Sequence, residues 1–175
     1  MSNDKFHRII LPLSNQFYRL ALSIVKEQTE AEDIVQDVLL KLWNKRNEWD
    51  TIENLEAYCF RSIKNLALDR LVSDAIKKTD SIDAEIESRT FVDTHSPYQE
   101  IVQQEQRSII YQCIEKLTEN QKLVFQLREI EGMNYKEISQ SLGITEDLVK
   151  VSLFRARRKM RELLSNFENF DKNEW

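Results

Sequence analysis

Six basic side chains crowd one short stretch near the C-terminus: Lys150, Arg155, Arg157, Arg158, Lys159 and Arg161. Cations at that density suit phosphate oxygens, and an arginine fork fits the acceptor pair on a guanine edge. Other chemistries find little support. Cys59 and Cys113 stand far apart, as do His7 and His95, with no CxxC and no HExxH. Zinc sites need clustered ligands, so neither a metal nor a cofactor is expected. Both cysteines sit beside apolar residues and read as small buried hydrophobes. The only glycines are Gly132 and Gly143, too few for a dinucleotide fingerprint or a phosphate-binding loop. No nucleophile–base pair is visible either.

Local elements must carry that basic run. Tyr135–Leu142 has the length of a short helix, and Gly143 can end it at positive φ. Ile144 returns to the core and Thr145 can cap the next helix, expected from Glu146 to about Leu164. Ser139 is small where the two helices should cross. Ile138, Leu142, Ile144, Val149 and Leu153 supply a shared core. This is helix-turn-helix spacing, with the second helix suited to a major groove. The same pattern also occurs in plain bundles whose basic run is a solvated face.

The rest of the chain reads as helical too. In 175 residues there are two glycines and two prolines, too few turn formers for a sandwich, barrel or doubly wound sheet. Thr29-Glu30-Ala31-Glu32 has the pattern of a capping box, followed by an Ile34, Val35, Val38, Leu39, Leu42 stripe. Leu55, Tyr58, Ser62, Leu66 and Asp69 form one helical row after it. Ser96-Pro97 starts another helix, with proline where its missing N–H costs nothing. Thr118 opens the next. Trp43 and Trp49 read as packing residues. The expected fold is all-α, with two small helical domains joined by an acidic linker.

Charge supports that division. The net charge is −5, from 25 Lys+Arg against 30 Asp+Glu. Residues 73–105 hold 8 acids and 3 bases, so this segment carries the whole excess. The expected units are 1–72, a partly mobile linker at 73–95, 96–165, and a tail at 166–175. No run approaches the ~18 apolar residues of a membrane span, and Met1–Ile10 lacks a signal core. The sequence predicts a soluble, cytoplasmic protein.

Taken in order, these motifs resemble a bacterial RNA polymerase sigma factor of the extracytoplasmic-function (ECF) group, which has only regions 2 and 4. Ala31–Trp43 looks like region 2.2, and Tyr58–Arg70 like the region 2.4 helix. Leu117–Phe125 is similar to the start of region 4, and Tyr135–Ile144 with Phe154–Arg157 completes it. The resemblance covers about residues 10–165.

It implies partners and roles. Region 2.2 would dock on the β′ clamp of core RNA polymerase through Asp33, Gln36, Asp37 and Leu40. Physically, these form a polar face with one exposed leucine, opposite the apolar stripe. Region 2.4 would read the −10 element of promoter DNA through Asn54, Tyr58, Arg61, Lys64 and Asn65. Aromatic stacking and phosphate contacts can offset the cost of unstacking a base. Region 4 would read the −35 duplex through Lys150, Val151, Ser152, Phe154 and Arg155, with Arg158 near a phosphate; the polymerase partner includes its β subunit. The chain departs from the family here: Ser152 replaces a common arginine, and Asp147 adds an acid. Members are commonly held by an anti-sigma factor, and no residue here identifies one. The competing reading is a free-standing helix-turn-helix regulator, which would need a ligand pocket or dimer seam in the first half.

Overall fold

The computed structural model describes residues 2–80 and 97–172. Among these residues there is no strand, and the elements are helices throughout. The chain opens with α1 (Ser2–Lys5), a π turn and a 3₁₀ turn, which lead into α2 (Ser14–Val25). α3 spans Gln28–Asn44, α4 spans Leu55–Asp80 and α5 spans Pro97–Glu115. α6 (Glu119–Phe125) runs into a π turn, followed by α7 (Tyr135–Leu142) and α8 (Glu146–Lys172).

In the first half, α2, α3 and α4 form a three-helix bundle. Phe17 of α2 and Phe60 of α4 meet edge-to-face at its centre, with ring centroids 4.8 Å apart. The stripe Ile34, Val35, Val38 and Leu42 is buried as the spacing requires. On α4 the buried row is Phe60, Ile63 and Ala67, one step round from the row read in the sequence. That shift leaves Tyr58 and Asp69 outward. Trp49 is buried and its indole N–H donates to the Leu42 carbonyl at 2.9 Å, so packing is its role. Both cysteines are free and buried. Burial pushes the Cys59 thiol up to about 12, so it is inert as a nucleophile.

Two element boundaries in the first half differ from expectation. α3 is not capped by Thr29. Lys26 takes a left-handed conformation (φ 62°), which turns Glu27 into the N-cap position. Its carboxylate accepts from the N–H groups of Thr29 and Glu30 before the predicted box can form. α4 also runs to Asp80, well into the segment expected as linker. Residues 81–95, the rest of that segment, lie outside the described residues, as does Ser96.

The C-terminal half follows the sequence closely. α5 begins at Pro97, as proline's fixed φ favours. Asn134 and Glu137 make reciprocal cap bonds of 2.9 and 2.7 Å at the start of α7. Gly143 (φ 68°) ends it, and Thr145 Oγ1 accepts from the Leu148 N–H. The Ser139 hydroxyl donates to the Ile144 carbonyl at 2.6 Å, fixing the turn between the two helices. α8 continues past Leu164 to Lys172, so most of the expected tail is helical and residues 173–175 lie outside the described residues.

One feature could not be read from motif spacing. The core of the first half is continuous with Leu123, Val124, Leu127, Ile138, Leu142, Val149 and Leu153 of the second. A smaller satellite core joins Cys113, Ile114 and Leu117 to Ala156 and Met160.

Candidate nucleic-acid and polymerase interface

Three groups of side chains were expected to act together, and the helices place each differently. Asn54, Tyr58, Arg61 and Asn65 recur at three- and four-residue steps, so they share one face at the N-terminal end of α4. Lys64 stands at the edge of that face. The Asn54 side-chain carbonyl accepts from the Ala57 N–H at 3.0 Å, so Asn54 also caps α4. Tyr58 is 38% exposed, which leaves ring surface free for stacking.

Three members of this face are engaged by α7. Asn54 Nδ2 donates to Gln140 Oε1 at 2.7 Å. Arg61 Nη2 donates to the Gln140 carbonyl at 2.8 Å. Lys64 Nζ donates to the Leu142 carbonyl at 2.9 Å. Partial burial, and then the neighbouring Arg61 charge, lower the Lys64 pKa below its ordinary value of 10.5.

The face expected to meet polymerase lies on α3. Asp33 and Gln36 are exposed, and Leu40 is 60% exposed, unusual for a leucine with no cover. Asp37 is less free. Arg70 on α4 donates to Asp37 Oδ2 at 2.5 Å and to Glu30 Oε1 at 2.6 Å. These bonds, with that to Glu30 leading, raise the Arg70 pKa above its ordinary value. Arg70 therefore braces α4 against α3 and orients Asp37. The adjacent Asp69 is exposed, and the arginine's observed partners are these two acids on the neighbouring helix.

On α8, Val151, Phe154, Arg155 and Arg158 fall on the outward face. Phe154 is 66% exposed and Val151 44%. Lys150 is exposed and lies 3.8 Å from Asp147. Arg158 reaches Glu162 at 3.5 Å along the same helix. Ser152 does not join them: it is buried and turned toward the core. Leu148, 41% exposed, was missed by the sequence reading, although it stands three residues before Val151 and seven before Arg155. Arg157 is exposed as well, and it pairs with Glu129 at 2.5 Å. The surface is therefore part cationic and part apolar. It can meet phosphates through its cations and thymine methyl groups through its apolar residues.

Among the described residues, no group of three or more His, Cys, Asp or Glu side chains could hold a metal ion. No described helix is long and apolar enough to cross a membrane.

Comparison with known proteins accounts for this arrangement. Residues 9–75 match the model for sigma-70 region 2, and residues 107–160 match that for sigma-70 region 4. Together they span more than half of the chain. The chain is 27% identical over 170 residues to the ECF RNA polymerase sigma factor SigW of Bacillus subtilis, covering 92% of this chain and 89% of SigW. It is 25% identical over 134 residues to the ECF sigma-E factor of Escherichia coli, covering 73% of this chain and 70% of that protein. It spans only 42% of one longer relative from Xanthomonas campestris. In fold, it is similar to the sigma factor RpoE of Bartonella quintana, solved with the anti-sigma factor NepR. That likeness has a TM-score of 0.71 at 22% identity, covering 93% of this chain and 98% of RpoE. With both regions matched in order and their helices in place, the chain belongs to the ECF group of RNA polymerase sigma factors.

Proposed function

We propose that this sigma factor binds core RNA polymerase in the cytoplasm and directs it to promoters. In this reading α3 docks on the β′ clamp through Asp33, Gln36, Asp37 and Leu40. Asn54, Tyr58, Arg61, Lys64 and Asn65 read the −10 element and hold the melted strand. Lys150, Val151, Phe154 and Arg155 read the −35 duplex, with Arg158 near a phosphate. The observation that carries the reading is the clustering of the α4 residues on one face, aromatic and cationic together. No bond is made or broken by the protein: strand separation draws on binding energy. Each unstacked base costs a few kcal/mol, and stacking on an aromatic returns about 1–3 kcal/mol.

Burial of Ser152 narrows the −35 assignment. A serine at that depth supports the helix crossing, so Lys150, Val151, Phe154 and Arg155 carry the readout. Specificity then leans on apolar contacts more than in members with an arginine at this position.

The test replaces Lys64 and Asn65 together with alanine. Open-complex formation on a promoter should fall while affinity for core polymerase stays unchanged. Loss of core affinity instead would place the polymerase interface on α4 and overturn the assignment.

A further inference from the structure

Asn54 stands at the end of the loop that joins α3 to α4. The middle of that loop is a 3₁₀ turn, Arg46–Thr51. Trp49 is its one buried residue, and its neighbours in the turn are exposed. A loop with so little burial takes its shape from what its few anchors touch.

The anchors lead to the N-terminus. Trp49 is tied to α3 through its bond to the Leu42 carbonyl, and its ring also stacks on Phe6, with centroids 6.0 Å apart and planes 15° from parallel. Phe6 meets Trp43 edge-on at 5.2 Å, and Trp43 lies 6.3 Å from Trp49, so three rings close one cluster. The Arg46 guanidinium sits 5.3 Å over the Trp43 ring. One residue along on each side, Lys5 Nζ donates to Asp50 Oδ1 at 2.7 Å. Two adjacent residues of the N-terminal segment thus grip two adjacent residues of the turn. Ile10, fully buried, fixes the segment to the core. At the far end of the loop, Asn54 is held by its cap bond to the Ala57 N–H. The match to sigma-70 region 2 begins at residue 9, so Lys5 and Phe6 lie ahead of it.

We propose that residues 2–10 are a positioning element for −10 reading: Phe6 and Lys5 set the Arg46–Thr51 turn, and thereby where the loop presents Asn54. Neither residue touches DNA; both act through the loop. A loop ordered before the strand arrives has less conformational entropy left to lose on binding, so the same contacts yield a tighter and more selective grip. The proposal rests on the −10 assignment of Asn54.

The experiment uses full-length chains assembled with core polymerase. The probe is a fluorescent single strand carrying the −10 element of a promoter that the holoenzyme transcribes, beside copies with one −10 base replaced. Phe6→Ala should weaken binding of the matched strand about fivefold, the scale of one lost aromatic contact, and reduce its preference over the replaced strands. Phe6→Tyr keeps the ring and should restore both. Lys5→Glu alters an exposed pair on which folding does not depend; it should lower the preference about twofold, and adding Asp50→Lys should restore it. Amides of residues 46–54 should exchange faster in both weakened forms, while affinity for core stays unchanged. Full base preference in both Phe6→Ala and Lys5→Glu, or a loss confined to core affinity, would overturn the proposal. Asn54→Ser keeps a capping oxygen but removes the amide, and it separates the failures. If it retains full base preference, the −10 assignment of Asn54 is wrong. If it loses preference while the Phe6 and Lys5 variants keep theirs, only the positioning role is wrong.

Discussion

Gly143 carries two constraints at once. Its φ of 68° lies where a side chain is strained, and Arg61 packs against the space a Cβ would fill. Arg61 can yield because its guanidinium ends a flexible chain, so the backbone term dominates. Gly143→Ala should lower stability by about 1–2 kcal/mol. A shift in the urea midpoint with an unchanged slope checks this. Glu115 gives a pH signature. Burial alone would raise its pKa, but hydrogen bonds from Lys26 and Lys122 more than offset that and hold it below its ordinary 4.5. The folded state then binds fewer protons than the unfolded one. The contribution is complete above pH 4.5 and is lost as pH falls through the lower folded value. Burial lowers the Lys26 pKa and takes back part of the gain. Glu115→Gln should flatten the acid side of a plot of urea midpoint against pH. An unaltered acid side would show that the triad contributes nothing.

Legibility in the sequence varied by element, for physical reasons. α7 and the start of α8 could be read closely because each boundary has a local chemical cause: Asn134, Gly143 and Thr145. The start of α3 could not, since it depends on Lys26 adopting a positive φ that its residue type does not announce. α4 was read too short because every residue from Leu71 to Thr79 is exposed. A helix with no buried face leaves no apolar stripe to recognise. The site was partly legible. Residues on α3, α4 and α8 could be named from motifs, but Ser152 faces inward, and only packing shows that. For α8 the expectation is direct. Arg155→Ala should weaken −35 duplex binding by about 1–3 kcal/mol if its fork meets a guanine edge. Equal affinity for promoters with and without the −35 element, before and after substitution, would remove α8 from the readout.

At the scale of the molecule, the largest surprise is contact between the halves. Two of the bonds that join them, from Arg61 and Lys64, run to backbone carbonyls, and carbonyls leave no mark on a sequence. The charge balance made the same division visible in another way. The acidic excess sits between the halves, whose own charges nearly cancel. A nearly neutral reader of DNA attracts duplex weakly on its own and depends on its escort for affinity.

That dependence makes one measurement decisive. The purified chain is mixed with core RNA polymerase on a template bearing an ECF-type promoter, and run-off transcripts are counted with and without it. The account predicts a stable complex with core and transcripts from one defined start that need both partners. Tight binding of the chain to duplex DNA alone, with no complex with core and no promoter-specific transcript, would contradict it.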